Sequence, residues 1–371
     1  MQSTFSFPTT TIFEIGARRE LRGWLAKLGS ARPLVVTDAS LTRTKAFALL
    51  SACLEGMGAA VFSEVRPNPD EVDVEGALRA YRENDCDAVI AFGGGSALDV
   101  GKAVRLRIKR SEKTLAQFEF EADWAGLAPL IAIPTTAGTG SEVGRSSVII
   151  MEDRKRVFFH PALLASLVIL DPEFTRELPP KLTAATGADA LTHCIESFTS
   201  PVFHPLCDGI ALEGIRLVAR ALPRAVRDGG DLEARGLMQV AAAMGGIAFQ
   251  KDLGAAHSLA HPLSSLCGLH HGLANALCLP FVMDFNAERK PGVYERVAVA
   301  LGLHNPSDAG AIAAVRELFT GIGLPPGLRA HGVDESKLDA LADQAFADSC
   351  HLTNPVPVTR EDLRNLYQSA L

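Results

Sequence analysis

The chain is 371 residues long, 47% hydrophobic and 21% charged, with a formal net charge of -7. A single core stops growing at about 250–300 residues, so two domains are expected, and the apolar content excludes a disordered chain. The acidic balance offers no positive field to a phosphate backbone or an anionic bilayer, which argues against nucleic-acid and membrane partners.

From the N-terminus, Met1–Thr10 carries neither a basic stretch nor an apolar one, and nowhere do about 18 apolar residues run together. The seven cysteines (Cys53, Cys86, Cys194, Cys207, Cys267, Cys278, Cys350) are scattered without a C-x-x-C pair and read as reduced thiols. A cytoplasmic protein is expected. Up to about residue 175, short apolar runs alternate with longer amphipathic ones, the rhythm of βαβ units. Strands are predicted at Thr10–Glu14, Pro33–Asp38, Ala60–Glu64, Ala88–Phe92 and Pro129–Ile133, with helices near Arg18–Leu28, Thr44–Met57, Val72–Asn84 and Ala97–Arg107. Near-continuous apolar strands of this kind suit a parallel sheet covered on both faces.

After the strand Ala88–Phe92 comes Gly93-Gly94-Gly95-Ser96, then a helix opening with Asp99 and Lys102. Two readings stand. The run is either a tight strand-to-helix turn, or a place where the backbone and the free N–H groups of the next helix meet a pyrophosphate. Leu98 occupies the place of the third glycine, so the G-x-G-x-x-G fingerprint is absent. A second loop, Pro134–Ser141, gathers hydroxyls and glycines at the end of the next strand, and two such loops point to one crevice. Asp38 stands at the end of its strand. Either it caps a turn, or it accepts hydrogen bonds from an adenosine ribose, in which case its charge favours NAD over NADP.

From Pro179 the spacing becomes helical, over Ala184–Ser197, Asp208–Val226, Ala234–Phe249, Ala255–Leu266 and Leu273–Phe285. Three prolines between Asp171 and Pro180 mark the boundary, which gives an α/β domain over 1–178 and a helical domain over 179–371. Asp189 and His193 stand i and i+4 on one predicted helix, and so share a face. His257 and His261 repeat that spacing, and His270-His271 follow one loop later. The surrounding residues are small or apolar, so these polar groups would be interior and would need partners. One carboxylate with three imidazoles satisfies a divalent ion such as Fe²⁺ or Zn²⁺.

Over nearly its whole length the chain resembles the iron-containing (group III) alcohol dehydrogenases of the dehydroquinate synthase-like fold. The resemblance is carried by G-G-G-S-A-L-D-V-G-K (Gly93–Lys102), P-T-T-A-G-T-G-S-E-V (Pro134–Val143), L-P-P-K-L-T-A-A-T-G-A-D-A-L-T-H (Leu178–His193), H-S-L-A-H-P-L (His257–Leu263) and H-G-L-A-N (His271–Asn275). It implies metal ligation by Asp189, His193, His257 and His271, the last in preference to His270 because it precedes G-x-x-N. His261 matches a non-ligand histidine that relays protons. Asp38, Gly94, Gly95, Ser96, Asp99, Thr135, Thr136, Thr139 and Lys155 match cofactor-binding positions. The implied metal is Fe²⁺, with Zn²⁺ or Mn²⁺ as alternatives, and the implied cofactor is NAD in preference to NADP.

Within that family, A-F-Q-K-D-L-G (Ala248–Gly254), G-L-H-H-G (Gly268–Gly272) and C-H-L-T-N-P (Cys350–Pro355) are worded most like 4-hydroxybutyrate dehydrogenases. The expected reaction is therefore hydride transfer between a nicotinamide and a small primary alcohol, such as an ω-hydroxy acid. Arg145 and Lys251 are unusual cations for the family. They either pair with a remote substrate carboxylate in the pocket or serve as solvated or phosphate-binding charges. Phe249 and Cys350 fall beside the same pocket by resemblance. The alternatives on this fold are a zinc-dependent polyol or glycerol dehydrogenase and a dehydroquinate synthase-like lyase. By analogy a homodimer would form if the first strand pairs across subunits.

Overall fold

The short apolar runs before residue 175 become parallel strands. The computed structural model describes residues 7–110, 112–120, 124–152 and 154–371, so the first six residues of the Met1–Thr10 segment lie outside the described residues. In chain order the strands are β1 (Thr11–Phe13), β2 (Pro33–Val36), β3 (Ala60–Phe62), β4 (Ala88–Gly93), β5 (Leu130–Pro134), β6 (Ser146–Met151), β7 (Arg154–Phe159) and β8 (Leu167–Leu170). The sheet runs β1-β8-β5-β4-β2-β3, with every pairing parallel. β2, β4, β5 and β8 are buried along their full length, as an apolar strand covered on both faces must be.

Helices α1 (Leu21–Lys27), α2 (Lys45–Leu54), α3 (Glu71–Glu83) and α4 (Gly95–Lys109) connect these strands. Their starts are chemically marked. Thr44 accepts from the Phe47 N–H at the head of α2, and Asp70 and Asp73 form a reciprocal capping box on α3. The chain leaves β2 toward β3 on one side and β4 toward β5 on the other, so the carboxyl ends of β2 and β4 flank the point where winding reverses.

Two local predictions are corrected. The helix expected from Arg18 opens as a 3-10 turn over Ala17–Glu20, because Asp171 draws the turn onto itself by accepting from the N–H groups of Gly16 and Arg18. The stretch after Pro134, read only as a loop followed by a lysine-bearing segment, contains an antiparallel hairpin of β6 and β7 that turns at Glu152 with φ of +50°.

By its contacts the chain divides into two units, one of Phe7–Thr136 with Gly140–Leu178 and one of Ala137–Thr139 with Pro179–Leu371. The second unit contains α5 (Pro180–Thr199), α6 (Pro205–Arg227), α7 (Leu232–Ala248), α8 (Ala255–Cys267), α9 (His271–Arg289), α10 (Glu295–Ala300), α11 (Asp308–Gly321), α12 (Leu338–Ala347) and α13 (Arg360–Ala370). α5 starts with Pro180 at its first turn, where a missing N–H costs nothing, and is buried almost all round from Thr183 onward. A helix buried on every side must be packed by others, and α6, α7 and α9 do so. Its polar residues are therefore inside the unit.

Candidate functional site

Asp189 lies in the buried middle of α5, where its carboxylate must find partners. Its Oδ1 stands 4.0 Å from His193 Nε2, 3.8 Å from His257 Nε2 and 3.4 Å from His271 Nε2. Asn275 Nδ2 donates to the same oxygen at 2.8 Å. His193 shares the Asp189 face of α5, His257 comes from the first turn of α8, and His271 is the first residue of α9. Gly272 makes that approach possible, since a Cβ there would run into the Ala185 carbonyl on α5. His270 stays outside the helix as its exposed N-cap residue.

Burial works against the Asp189 charge, while positive charge beside it on His193, His271 and His257, and the Asn275 amide, would draw its carboxyl down to about 2. Burial first of all pushes the His257 and His271 rings well below the ordinary imidazole range, so both are neutral at pH 7. Glu196, two turns beyond Asp189 on α5, accepts from His257 Nδ1 at 2.5 Å with one oxygen and from the Ala256 N–H at 2.6 Å with the other. With its proton on Nδ1, His257 turns the lone pair of Nε2 toward the Asn275 amide at 3.2 Å and the Asp189 carboxylate at 3.8 Å. The ring of His193 stacks on that of His257 at 4.6 Å and leans on Phe249 at 5.4 Å, and its own Nδ1 is buried without a hydrogen bond.

Lone pairs aimed at a carboxylate oxygen repel it unless a cation lies between them. Ligands about 2.1 Å from a tetrahedral ion lie about 3.4 Å from each other, close to the separations found here. Asp189, His257 and His271 are mutually within 4.8 Å, with His193 somewhat further out. The donor set is one carboxylate and neutral imidazoles, which suits Fe²⁺ or Zn²⁺. The residues fit a divalent cation.

Beside this cluster, His261 stacks on His271 at 5.3 Å and meets Asp348 Oδ2 through Nδ1 at 2.8 Å. Cys350 adjoins Asp348, and burial together with that carboxylate pushes its thiol well up. Glu196, Asn275 and Asp348 were not singled out from sequence. Lys251 is corrected as a substrate-facing cation, because it is buried, ion-paired with Asp208 and hydrogen-bonded to the Phe198 carbonyl. Its charge is used within the helical unit.

In the α/β unit, Gly93 has φ of +155° and a Cβ there would lie 2.7 Å from that of Ala97, so the turn into α4 needs glycine. Gly94 is the N-cap of α4 and Gly95 and Ser96 open it, with no side chain capping the free N–H groups. Thr136 packs on Gly94, and the Thr135 N–H donates to the Gly93 carbonyl at 3.0 Å. Thr139 belongs to the short segment that clusters with the helical unit. Asp38 Oδ1 accepts from the Ser40 and Leu41 N–H groups, which makes it a turn cap with Oδ2 left over.

Asp99 accepts from Ser141 Oγ at 2.9 Å, and Ser141 in turn accepts from the buried Lys102 at 2.8 Å. Lys155 is exposed on β7. Arg145, just before β6, lays its guanidinium 5.5 Å over the Phe159 ring.

Residues 8–172 match the family model described as iron-containing alcohol dehydrogenase, and residues 183–371 match the C-terminal model of the Fe-containing alcohol dehydrogenase family. The chain is 40% identical to the 4-hydroxybutyrate dehydrogenase of Cupriavidus necator, with 96% of this chain and 97% of that protein covered. An alcohol dehydrogenase from Oenococcus oeni superposes with a TM-score of 0.95 at 30% identity, covering 100% of both chains. The sulfoacetaldehyde reductase of Bifidobacterium kashiwanohense, solved in complex with NAD+, superposes with a TM-score of 0.92 at 30% identity over 100% of this chain and 99% of that one.

Proposed function

The chain belongs to the iron-containing alcohol dehydrogenase family, with its dehydroquinate synthase-like fold, and from that premise we propose that it is a metal-dependent, NAD-linked dehydrogenase of a small primary ω-hydroxy acid such as 4-hydroxybutyrate, or the reductase of the matching semialdehyde. The observation that carries this reading is the convergence of three imidazole Nε2 atoms on one buried Asp189 oxygen. Asp189, His193, His257 and His271 hold the divalent cation, iron in first place, with zinc or manganese able to use the same donors. When bound, the cation supplies Lewis acidity toward the substrate oxygen and the nicotinamide supplies the hydride acceptor.

The protein's own part is position and proton traffic. Glu196 fixes the His257 ring, and Asn275 steadies the Asp189 carboxylate. His261, one turn beyond His257 and about a third exposed, carries the proton between the site and solvent. In the α/β unit, Gly94, Gly95 and Ser96 offer uncapped N–H groups to the pyrophosphate, with Asp99, Thr135, Thr136 and Lys155 as further cofactor contacts, and Thr139 of the helical unit is a proposed contact as well. Asp38 keeps Oδ2 for the ribose and repels a 2′-phosphate, which supports NAD.

An anionic substrate is supported by the names of two relatives, a 4-hydroxybutyrate dehydrogenase and a sulfoacetaldehyde reductase. Arg145 is the candidate partner for that anion, since among the described residues no carboxylate pairs with it. A reducing compartment is supported by the scatter of the seven cysteines along the sequence without a C-x-x-C pair, and a homodimer by the edge position of β1 with Phe13 half exposed.

The test is metal-stripped protein reconstituted with Fe²⁺ or Zn²⁺ and assayed for NADH, pairing each ω-hydroxy acid with the neutral alcohol of equal length. Metal-dependent NADH formation with preference for the acid is expected. Protein that binds no metal, or binds it without turning over any alcohol, would refute the reading.

A further inference from the structure

Among the described residues, two carboxylates joined to the histidine cluster are not proposed cation ligands: Glu196, which faces His257, and Asp348, which faces His261. Asp348 closes α12 and reaches His261 from 87 residues away. Its Oδ2 meets His261 Nδ1 at 2.8 Å, while Oδ1 accepts from Ser258 Oγ at 2.9 Å and from the Cys350 N–H at 2.8 Å. Ser258 is fully buried, and its oxygen accepts from the His351 N–H at 2.8 Å. That bond turns the hydroxyl hydrogen toward Asp348.

We infer that Asp348 is a positioning residue that, braced by Ser258 and the Cys350 N–H, locks His261 in the tautomer with the proton on Nδ1 and leaves Nε2 as its basic nitrogen. The inference rests on His261 being the proton carrier. A carboxylate accepts and does not donate, so the ring nitrogen facing it must carry the proton. The other nitrogen is then unprotonated, with its lone pair free to take a proton. The ring plane is fixed as well, held between the carboxylate and the parallel face of His271 at 5.3 Å and 15°. A histidine with a third of its side chain exposed would otherwise sample both tautomers and several ring orientations.

The same three side chains invite a different assignment. His261, Asp348 and Cys350 offer ligand atoms within 4.8 Å of one another, the spacing of a second cation site. A protonated Nδ1 has no lone pair for a metal, so the lock excludes a cation held through that nitrogen. The hydrogen-bond pattern around Asp348 favours the lock, since Oδ1 is already taken by an O–H and an N–H donor and Oδ2 is left to face the ring nitrogen.

The experiment uses the zinc-loaded enzyme with ¹⁵N-labelled histidine, observed by NMR under mildly alkaline conditions. His261 is expected to show a protonated Nδ1 and an unprotonated Nε2, with one zinc per chain. Asp348→Asn, whose amide can donate to Nδ1, should reverse or mix that pattern and lower kcat by about 10–100-fold. The KM for NAD and the zinc content should stay unchanged, a split that general loosening of the fold would not give. His261→Ala separates the two layers of the argument. If it turns over at the normal rate, the proton-carrier reading falls. If it is slow while Asp348→Asn is normal, only the lock falls. Should Asp348→Asn not fold, the unmutated protein still decides, because an Nε2-protonated His261 or a second bound zinc overturns the proposal.

Discussion

Arg145 and Lys251 look alike in the sequence as unusual cations, and their surroundings separate them. Lys251 is ion-paired with Asp208, whereas Arg145 touches the Phe159 ring and meets no carboxylate among the described residues. A bidentate contact to a substrate carboxylate is worth about 1.5–3 kcal/mol. Arg145→Ala should therefore lose that much in kcat/KM on 4-hydroxybutyrate and little on 1-butanol, and equal losses on both would remove Arg145 from the pocket. Glu196 acts at one remove. Glu196→Gln leaves every proposed ligand in place but puts an amide where the Glu196 carboxyl accepts from His257 Nδ1, so the affinity for metal, measured by chelator competition, should fall about 10–100-fold. The i, i+4 spacing made Asp189 and His193 visible in sequence as a shared face. Glu196, Asn275 and Asp348 were hidden because each works through a partner brought in by folding, and an acid or amide on an amphipathic helix looks like any solvated one.

Helices and strands were legible where their burial pattern matched a simple period. β4 and β5 are apolar throughout and read directly as interior strands, and α5 is expected from Ala184 but starts at Pro180, a proline that reads in the sequence only as part of the domain boundary. β6 alternates between buried and half-buried residues, the signature of a strand with one face covered, but β7 opens on Arg154-Lys155-Arg156, and no element is predicted there. Its identity is set by pairing with β6 from Ser146↔Phe159 to Met151↔Arg154, which no local signal encodes. Contact between α5 and α9 is also invisible until both helices are placed. Gly272→Ala tests what that contact does, because the new methyl meets the Ala185 carbonyl and α9 must shift with His271 at its head. Overpacking of this kind costs about 1–3 kcal/mol. The variant should melt earlier and bind metal more weakly, and a loss of stability with unchanged metal affinity would show that His271 is not positioned through Gly272.

At the scale of the whole molecule, length alone called for two domains, and the contacts divide the chain into an α/β unit and a helical unit. Their cores are separate. The first gathers Leu25, Leu50, Phe92 and Ile133, and the second gathers Leu191, Leu222, Leu259 and Tyr367, whose hydroxyl donates to the Leu259 carbonyl at 2.7 Å. The proposed ligands divide in the same way, with the cation donors all in the helical unit and most nucleotide contacts in the α/β unit. A ligand that binds only the folded form stabilises what it binds, by about 2.7 kcal/mol at a hundred times its dissociation constant. Chelation should therefore lower the unfolding temperature of the helical unit, and NAD should raise that of the α/β unit. Hydrogen exchange read segment by segment distinguishes the two, because local opening need not follow global unfolding. Metal should protect amides of α5, α8 and α9, and NAD those at the head of α4. Protection by metal confined to α4, with α5 unaffected, would contradict the assignment of Asp189 and His193 as its ligands.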